Sequence, residues 1–90
     1  MTDPMELEII NVKGLHARAS AKFVEVVEEF EAQAYVEKDG MRVTGDSIMG
    51  LLMLAASRGT TIAVTTHGLE AERLADALEA LVADRFGEEN

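Results

Sequence analysis

The sequence predicts an α+β open-faced sandwich: one four-stranded, mainly antiparallel sheet with three helices on one face, in the order β-α-β-β-α-β-α. Three observations predict it. Some short segments alternate apolar and polar residues, and others place apolar residues at helical spacing. Between two alternating runs stands Asp39-Gly40, a hairpin turn signal. Strands separated by amphipathic helices bury their apolar faces most simply as one sheet covered on one side.

Met5, Leu7 and Ile9 alternate with Glu6 and Glu8, the pattern of a half-buried strand. Val12-Lys13-Gly14-Leu15 breaks the alternation. From Ala17 to about Phe30 the spacing becomes helical, with Phe23, Val24, Val27 and Phe30 on one face and Lys22, Glu25 and Glu29 on the other. Ala32, Ala34 and Val36 form the first arm of the hairpin and Met41-Arg42-Val43 the second. Asp46-Ser47 precedes a short apolar helix, Ile48 to about Leu54. Thr60 to Thr66 is rich in β-branched residues and reads as a strand ended by Gly68. The last helix, about Glu70 to Phe86, has Leu74, Leu78, Leu81 and Val82 on its apolar face, and the acidic segment Gly87 to Asn90 is expected to fray.

With 90 residues, no linker and no repeat, the chain is expected to be a single domain over residues 1–90. An apolar fraction of 48% argues against disorder. Eight Lys and Arg against 17 Asp and Glu give a net charge of −9, which leaves no overall footprint for nucleic acid or an anionic membrane. The absence of Cys excludes disulfides, thiol nucleophiles and thiolate metal sites, and two His without a dense carboxylate cluster argue against any metal. No cofactor is expected. The start, Met1 to Glu6, lacks a basic region and an apolar core, so no signal peptide is expected. The longest apolar stretch, Ile48 to Ala56, is too short to span a bilayer. A cytoplasmic monomer without membrane insertion is the expectation.

Against this acidic background, Ile9 to Val24 contains no Asp or Glu but holds Lys13, Arg18 and Lys22. The stretch carries +3 and leaves −12 for the remainder. His16 lies at its centre, where the first helix starts. The first N–H groups of a helix have no intrahelical partners and sit at the positive end of its dipole, so the backbone of Ala17 and Arg18 is placed to cradle a phosphate. Imidazole is a competent nucleophile near neutral pH. Arg18 would bind the phosphoryl oxygens during transfer, and Gly14 would let the backbone turn sharply. The competing reading makes His16 an ordinary polar helix start with surface cations nearby.

Gly14-Leu15-His16-Ala17-Arg18-Ala19-Ser20 resembles the active-site signature of the HPr family of histidine phosphocarriers, and Ser47-Ile48-Met49-Gly50-Leu51-Leu52 is similar to that family's second motif at the expected distance. The resemblance runs over essentially the whole chain. It implies that His16 accepts a phosphoryl group on its δ nitrogen from phosphorylated enzyme I and passes it to a histidine of an enzyme IIA-type protein, with Arg18 as stabilising partner. Such a protein is a stoichiometric carrier in the phosphotransferase system rather than an enzyme. The chain departs from the family pattern at three places. Ala19 stands where Pro is usual. Lys13 stands where Ser or Asn is common, at a local capping contact. Glu25 and Glu28 stand where relatives often carry Lys on the docking face.

The helix after Ser47 is apolar all round, so one side must be left partly exposed. Ile48, Met49 and Leu52 are the expected exposed members, and with Ala21 they form the expected docking patch beside His16. Ser47 is a good N-cap on its own terms. In one branch of the family the matching Ser is phosphorylated by a kinase, which makes Ser47 a candidate regulatory site. His67 is expected on the surface at a strand end, with no role.

Two rivals come from other classes. Asp46-Ser47-Ile48 is similar to the attachment motif of acyl carrier proteins, with Ser47 carrying phosphopantetheine, but those proteins are helical bundles. A non-transferring regulatory module on the same fold would bind partners through Ile48 to Leu52 and need neither His16 nor Arg18. Among the carriers, Leu51-Leu52-Met53-Leu54 and the acidic tail are similar to the nitrogen-related regulatory branch, and Ile48-Met49-Gly50 to carriers regulated at the serine. The balance leans to the nitrogen-related role over sugar uptake.

Overall fold

The computed structural model describes residues 3–90; Met1 and Thr2, which open the non-apolar start discussed above, lie outside the described residues. The elements are β1 (Met5–Glu8), α1 (Ala17–Glu28), β2 (Gln33–Lys38), β3 (Met41–Thr44), α2 (Ile48–Met53), β4 (Thr61–His67) and α3 (Ala71–Ala83), followed by a 3₁₀ turn over Arg85–Gly87. This is the predicted order. The sheet runs β1-β4-β2-β3 with antiparallel pairing between every two neighbours. A helical-bundle acyl carrier is thereby excluded.

The period-two alternation sets the inner face. Leu7 pairs with Ile62 and Val36 with Val64, and all four side chains are buried, whereas Glu6, Glu8 and Glu37 are exposed. Against this face α1 lays Ala19, Phe23 and Val27, α2 lays Leu51, and α3 lays Leu74, Leu78 and Val82, forming one continuous core. Each large side chain buried there contributes about 1.5–3 kcal/mol against the cost of ordering the chain. The buried hydroxyls are satisfied locally: Thr66 Oγ1 donates to the Ala71 carbonyl at 2.7 Å and Ser20 Oγ to that of Leu15 at 3.2 Å.

The structure corrects the reading of both long helices and of the tail. The first helix ends at Glu28 rather than near Phe30, although Phe30 still packs against the core. The last helix stops at Ala83, and Arg85 and Phe86 take left-handed φ values of 56° and 55°. That reversal buries the Phe86 ring completely and turns its carbonyl to accept a 2.6 Å bond from Lys22 Nζ on α1. In a continued helix this carbonyl would point along the axis to the chain ahead. The segment Gly87 to Asn90, expected to fray, instead folds back over the loop after β1, where the Val12 N–H donates to the Asn90 carbonyl at 3.1 Å.

Candidate functional site

The loop from Asn11 to Leu15 is fixed from several sides. Gly14 has φ of +66°, and a Cβ at this position would lie 2.6 Å from the Ala56 carbonyl oxygen and 2.9 Å from Ser57 Cα. Only glycine fits such a left-handed approach of backbone to backbone. Next to it the Leu15 N–H donates to the Ala56 carbonyl at 2.9 Å, which ties the start of α1 to the chain leaving α2. Asn11, wholly buried, donates from Nδ2 to the Gly14 carbonyl at 2.8 Å.

His16 follows as the N-cap of α1, with extended backbone (φ −78°, ψ −177°) and no hydrogen bond from its side chain to the helix. The first N–H groups of α1 are therefore not capped by this side chain and sit at the positive helix end. The ring is one-quarter exposed. Its Nε2 is hydrogen-bonded to Glu88 Oε2, while the other oxygen of the same carboxylate accepts a 2.9 Å bond from Asn11 Nδ2. That leaves Nδ1 as the ring nitrogen without a partner among the described residues. The Asn11 bond, the His16 bond and charge, and nearby Lys13 together hold the Glu88 carboxyl below its ordinary value of 4.5, outweighing the opposing effect of burial. Glu88 is thus a carboxylate at neutral pH.

The charge island looks different in three dimensions. Val12, Lys13, Arg18 and Lys22 line an open depression of about 390 Å³ beside His16, but Gly87, Glu88, Glu89 and Asn90 form its other wall. The acidic tail returns to the cations of the acid-free stretch Ile9 to Val24. Lys22 serves the Phe86 carbonyl. Arg18 is exposed and makes no ion pair or hydrogen bond among the described residues, so its guanidinium is available for an anion. The depression does not enclose His16.

On α2, Ser47 Oγ accepts the Gly50 N–H at 3.0 Å, the expected N-cap. Leu51 is buried, while Ile48, Met49 and Leu52 are 40%, 70% and 36% exposed. Two further apolar residues were not singled out by the sequence: Met53 on α2 and Val12 in the loop before His16, 64% and 54% exposed. Met53 lies one helical turn after Met49, a spacing that could have included it. Ala21 on α1 is half-buried, Glu25 and Glu28 are exposed, and Ala19 is buried without cost to α1. His67 ends β4 on the surface. Among the described residues no His, Cys, Asp or Glu group is arranged to hold a metal ion, and no helix is long and apolar enough to cross a membrane. The residue beside His16 that the sequence did not reveal is Glu88.

A family model described as the PTS HPr component phosphorylation site matches residues 5–84. The phosphocarrier protein HPr of Neisseria meningitidis is 48% identical over 82 residues, covering 91% of this chain and 92% of that protein. That of Cupriavidus necator is 48% identical over 80 residues, covering 89% and 90%. The crystal structure of HPr-C-His from Thermoanaerobacter tengcongensis matches with a TM-score of 0.93 at 38% identity, over 99% of this chain and 100% of that one. With the sheet order, the Gly14–Ser20 loop and helix, and these likenesses in agreement, the chain belongs to the HPr family of phosphotransferase-system phosphocarriers, which carry a phosphoryl group rather than catalyse a reaction of their own.

Proposed function

We propose that His16 accepts a phosphoryl group from phosphorylated enzyme I and passes it to a histidine of an enzyme IIA-type protein. One observation carries this reading: Nε2 is engaged by Glu88, so the nitrogen left to attack is Nδ1, on the cap residue of a helix whose first N–H groups its side chain does not bond. The Nδ1 lone pair attacks phosphorus, the N–P bond of the donor histidine breaks, and its electron pair returns to the donor ring. Nε2 keeps its proton throughout. The backbone N–H groups of Ala17 and Arg18 hold the phosphoryl oxygens, and the unpaired Arg18 guanidinium offsets their charge. The onward step repeats this exchange with the roles of donor and acceptor reversed, which suits a ring that is partly exposed rather than sealed in a pocket.

Partners dock on Ala21, Ile48, Met49 and Leu52, an apolar patch on α1 and α2. Ser47, at the head of that patch, is a site where a serine kinase would place charge against an apolar interface. The protein acts as a monomeric, single-domain cytoplasmic carrier, and Leu51-Leu52-Met53-Leu54 with the acidic tail favours nitrogen-related regulation over sugar uptake.

Intact-mass spectrometry after incubation with phosphoenolpyruvate and enzyme I, of the sugar type and of the nitrogen type in turn, tests the proposal. One acid-labile phosphoryl group, absent in His16→Ala, is the expected result, and the enzyme I that delivers it identifies the branch. No modification by either would replace the carrier reading with a regulatory module acting through the Ile48 patch.

A further inference from the structure

We propose that Glu88 is a positioning residue for phosphoryl transfer, fixing the proton of neutral His16 on Nε2 and so leaving the Nδ1 lone pair free to attack; the proposal rests on the carrier reading above. A neutral imidazole carries its proton on either nitrogen, and only the nitrogen without it is nucleophilic. Glu88 is held as a carboxylate, which has no proton to give and can only accept, so its contact with Nε2 requires the proton to be there.

The arrangement is built from the core outward. Asn11 has no exposed surface, and its Nδ2 serves two acceptors, the Gly14 carbonyl and Glu88 Oε1. Reversing the amide would set its oxygen against both of them, so the orientation is determined. Asn11 Oδ1 is left buried without a partner among the described residues, a cost tolerated to keep both donations. On the other side, Arg85 and Phe86 lie in the left-handed region, which side chains other than glycine disfavour. The buried Phe86 ring and the bond from Lys22 Nζ to its carbonyl hold this turn, and the turn delivers Glu88 to the ring.

During transfer the group has a second task. When Nδ1 forms its bond to phosphorus while Nε2 keeps its proton, the ring becomes a phosphoimidazolium. Glu88 lies against the nitrogen that carries the proton. The positive ring is therefore paired as it forms, and no proton needs to leave for solvent. When the phosphoryl group departs, the electron pair of the N–P bond returns to Nδ1 and the same tautomer is restored.

Substitutions at Glu88 separate this role from that of a staple for the tail. In Glu88→Gln, Asn11 Nδ2 demands an acceptor and takes the amide oxygen, which turns the amide NH₂ toward His16. That NH₂ donates to Nε2 and drives the proton to Nδ1, the wrong tautomer. Glu88→Ala imposes neither tautomer. Ring ¹⁵N shifts of the unphosphorylated proteins at about pH 8.5, well above the ordinary imidazole range, are expected to show Nε2–H alone in the wild type, a mixture in Glu88→Ala and mainly Nδ1–H in Glu88→Gln. With the carrier as substrate of enzyme I, kcat is expected to fall by roughly tenfold in Glu88→Ala and on the order of a hundredfold or more in Glu88→Gln, with KM unchanged. A staple predicts the opposite rank, because Gln preserves more contacts than Ala. Equal tautomers in all three proteins, or a Glu88→Gln rate at or above that of Glu88→Ala, would overturn the proposal while leaving the carrier reading intact. A wild-type chain that takes no phosphoryl group would instead overturn the carrier reading.

Discussion

Glu88 and His16 share a hydrogen bond although 72 residues separate them in the chain. The contact joins the first helix start to the last turn of the fold, and it brings an anion into the most cationic stretch of the sequence. Asn11, which holds both the Gly14 turn and the Glu88 carboxylate, is the buried link between them.

The Glu88 contact predicts a specific acid dependence of stability. Its carboxyl is held below 4.5 in the folded protein, chiefly by the Asn11 hydrogen bond. A depressed folded value means that the folded state favours the ionised form. The stabilisation is therefore fully present above the unfolded value of about 4.5 and is lost as pH falls through the lower folded value. Thermal unfolding of wild type and Glu88→Ala across pH 3 to about 5.5 is expected to show a Tm difference that narrows as pH falls below about pH 4.5. A gap that widens toward low pH would contradict the assigned shift.

Gly14→Ala is expected to damage both fold and site. The left-handed backbone alone costs about 1–3 kcal/mol for a side-chain-bearing residue. The added Cβ also meets the Ala56 carbonyl at 2.6 Å, a backbone atom that cannot swing aside. At roughly 4–8 °C per kcal/mol for a domain of this size, Tm should fall by about 10 °C or more. Because the same clash displaces Leu15 from Ala56, phosphoryl acceptance by His16 should fall beyond what the folded fraction explains. Calorimetry and a transfer assay well below Tm check the two parts.

The elements that the sequence reveals are those whose signal is local. Leu7, Val36, Ile62 and Val64 occur at period two, and Phe23 and Val27 or Leu74 and Leu78 at period four, so their burial follows from spacing alone. Asp39-Gly40 and Ser47 announce a turn and a cap by their chemistry. Glu88 has no such signal. Its position depends on left-handed φ at Arg85 and Phe86, neither of them a glycine, and on partners that only tertiary packing brings near. A full reading of Phe86 as a core residue followed by Gly87 would have argued that the chain stays against the protein rather than fraying. Met53 escaped for a milder reason, since in a helix apolar all round only its place one turn after Met49 sets it on the exposed side.

Arg18 is exposed and has no ion-pair partner among the described residues, so Arg18→Ala should leave the stability within about 0.5 kcal/mol of the wild type. If its guanidinium binds phosphoryl oxygens as they transfer, the loss appears in kcat for both receipt from enzyme I and delivery to the acceptor. Removing one charge-stabilising donor of this kind costs on the order of a hundredfold where the site is dry, and less at an exposed ring; roughly tenfold is expected here. Arg18→Lys should recover only part of the rate, because an ammonium lacks the planar pair of donors. Unchanged rates in Arg18→Ala would reduce Arg18 to a surface cation.

Ser47 allows the capping and regulatory roles to be separated by two substitutions. Its Oγ accepts the Gly50 N–H at 3.0 Å, so Ser47→Ala leaves that donor unpaired and should destabilise the fold by about 1 kcal/mol. Ser47→Asp keeps an acceptor at the same place and adds negative charge at a helix N-terminus, so its stability should equal or exceed that of the wild type. Function should rank the other way. The carboxylate sits at the head of an exposed apolar group, Ile48, Met49 and Leu52, where a partner's apolar surface would have to desolvate it. Ser47→Asp should therefore raise KM for enzyme I with little change in kcat, while Ser47→Ala, once folded, transfers normally. If Ser47→Asp docks as well as the wild type, charge at this serine does not reach the interface and phosphorylation there could not control it.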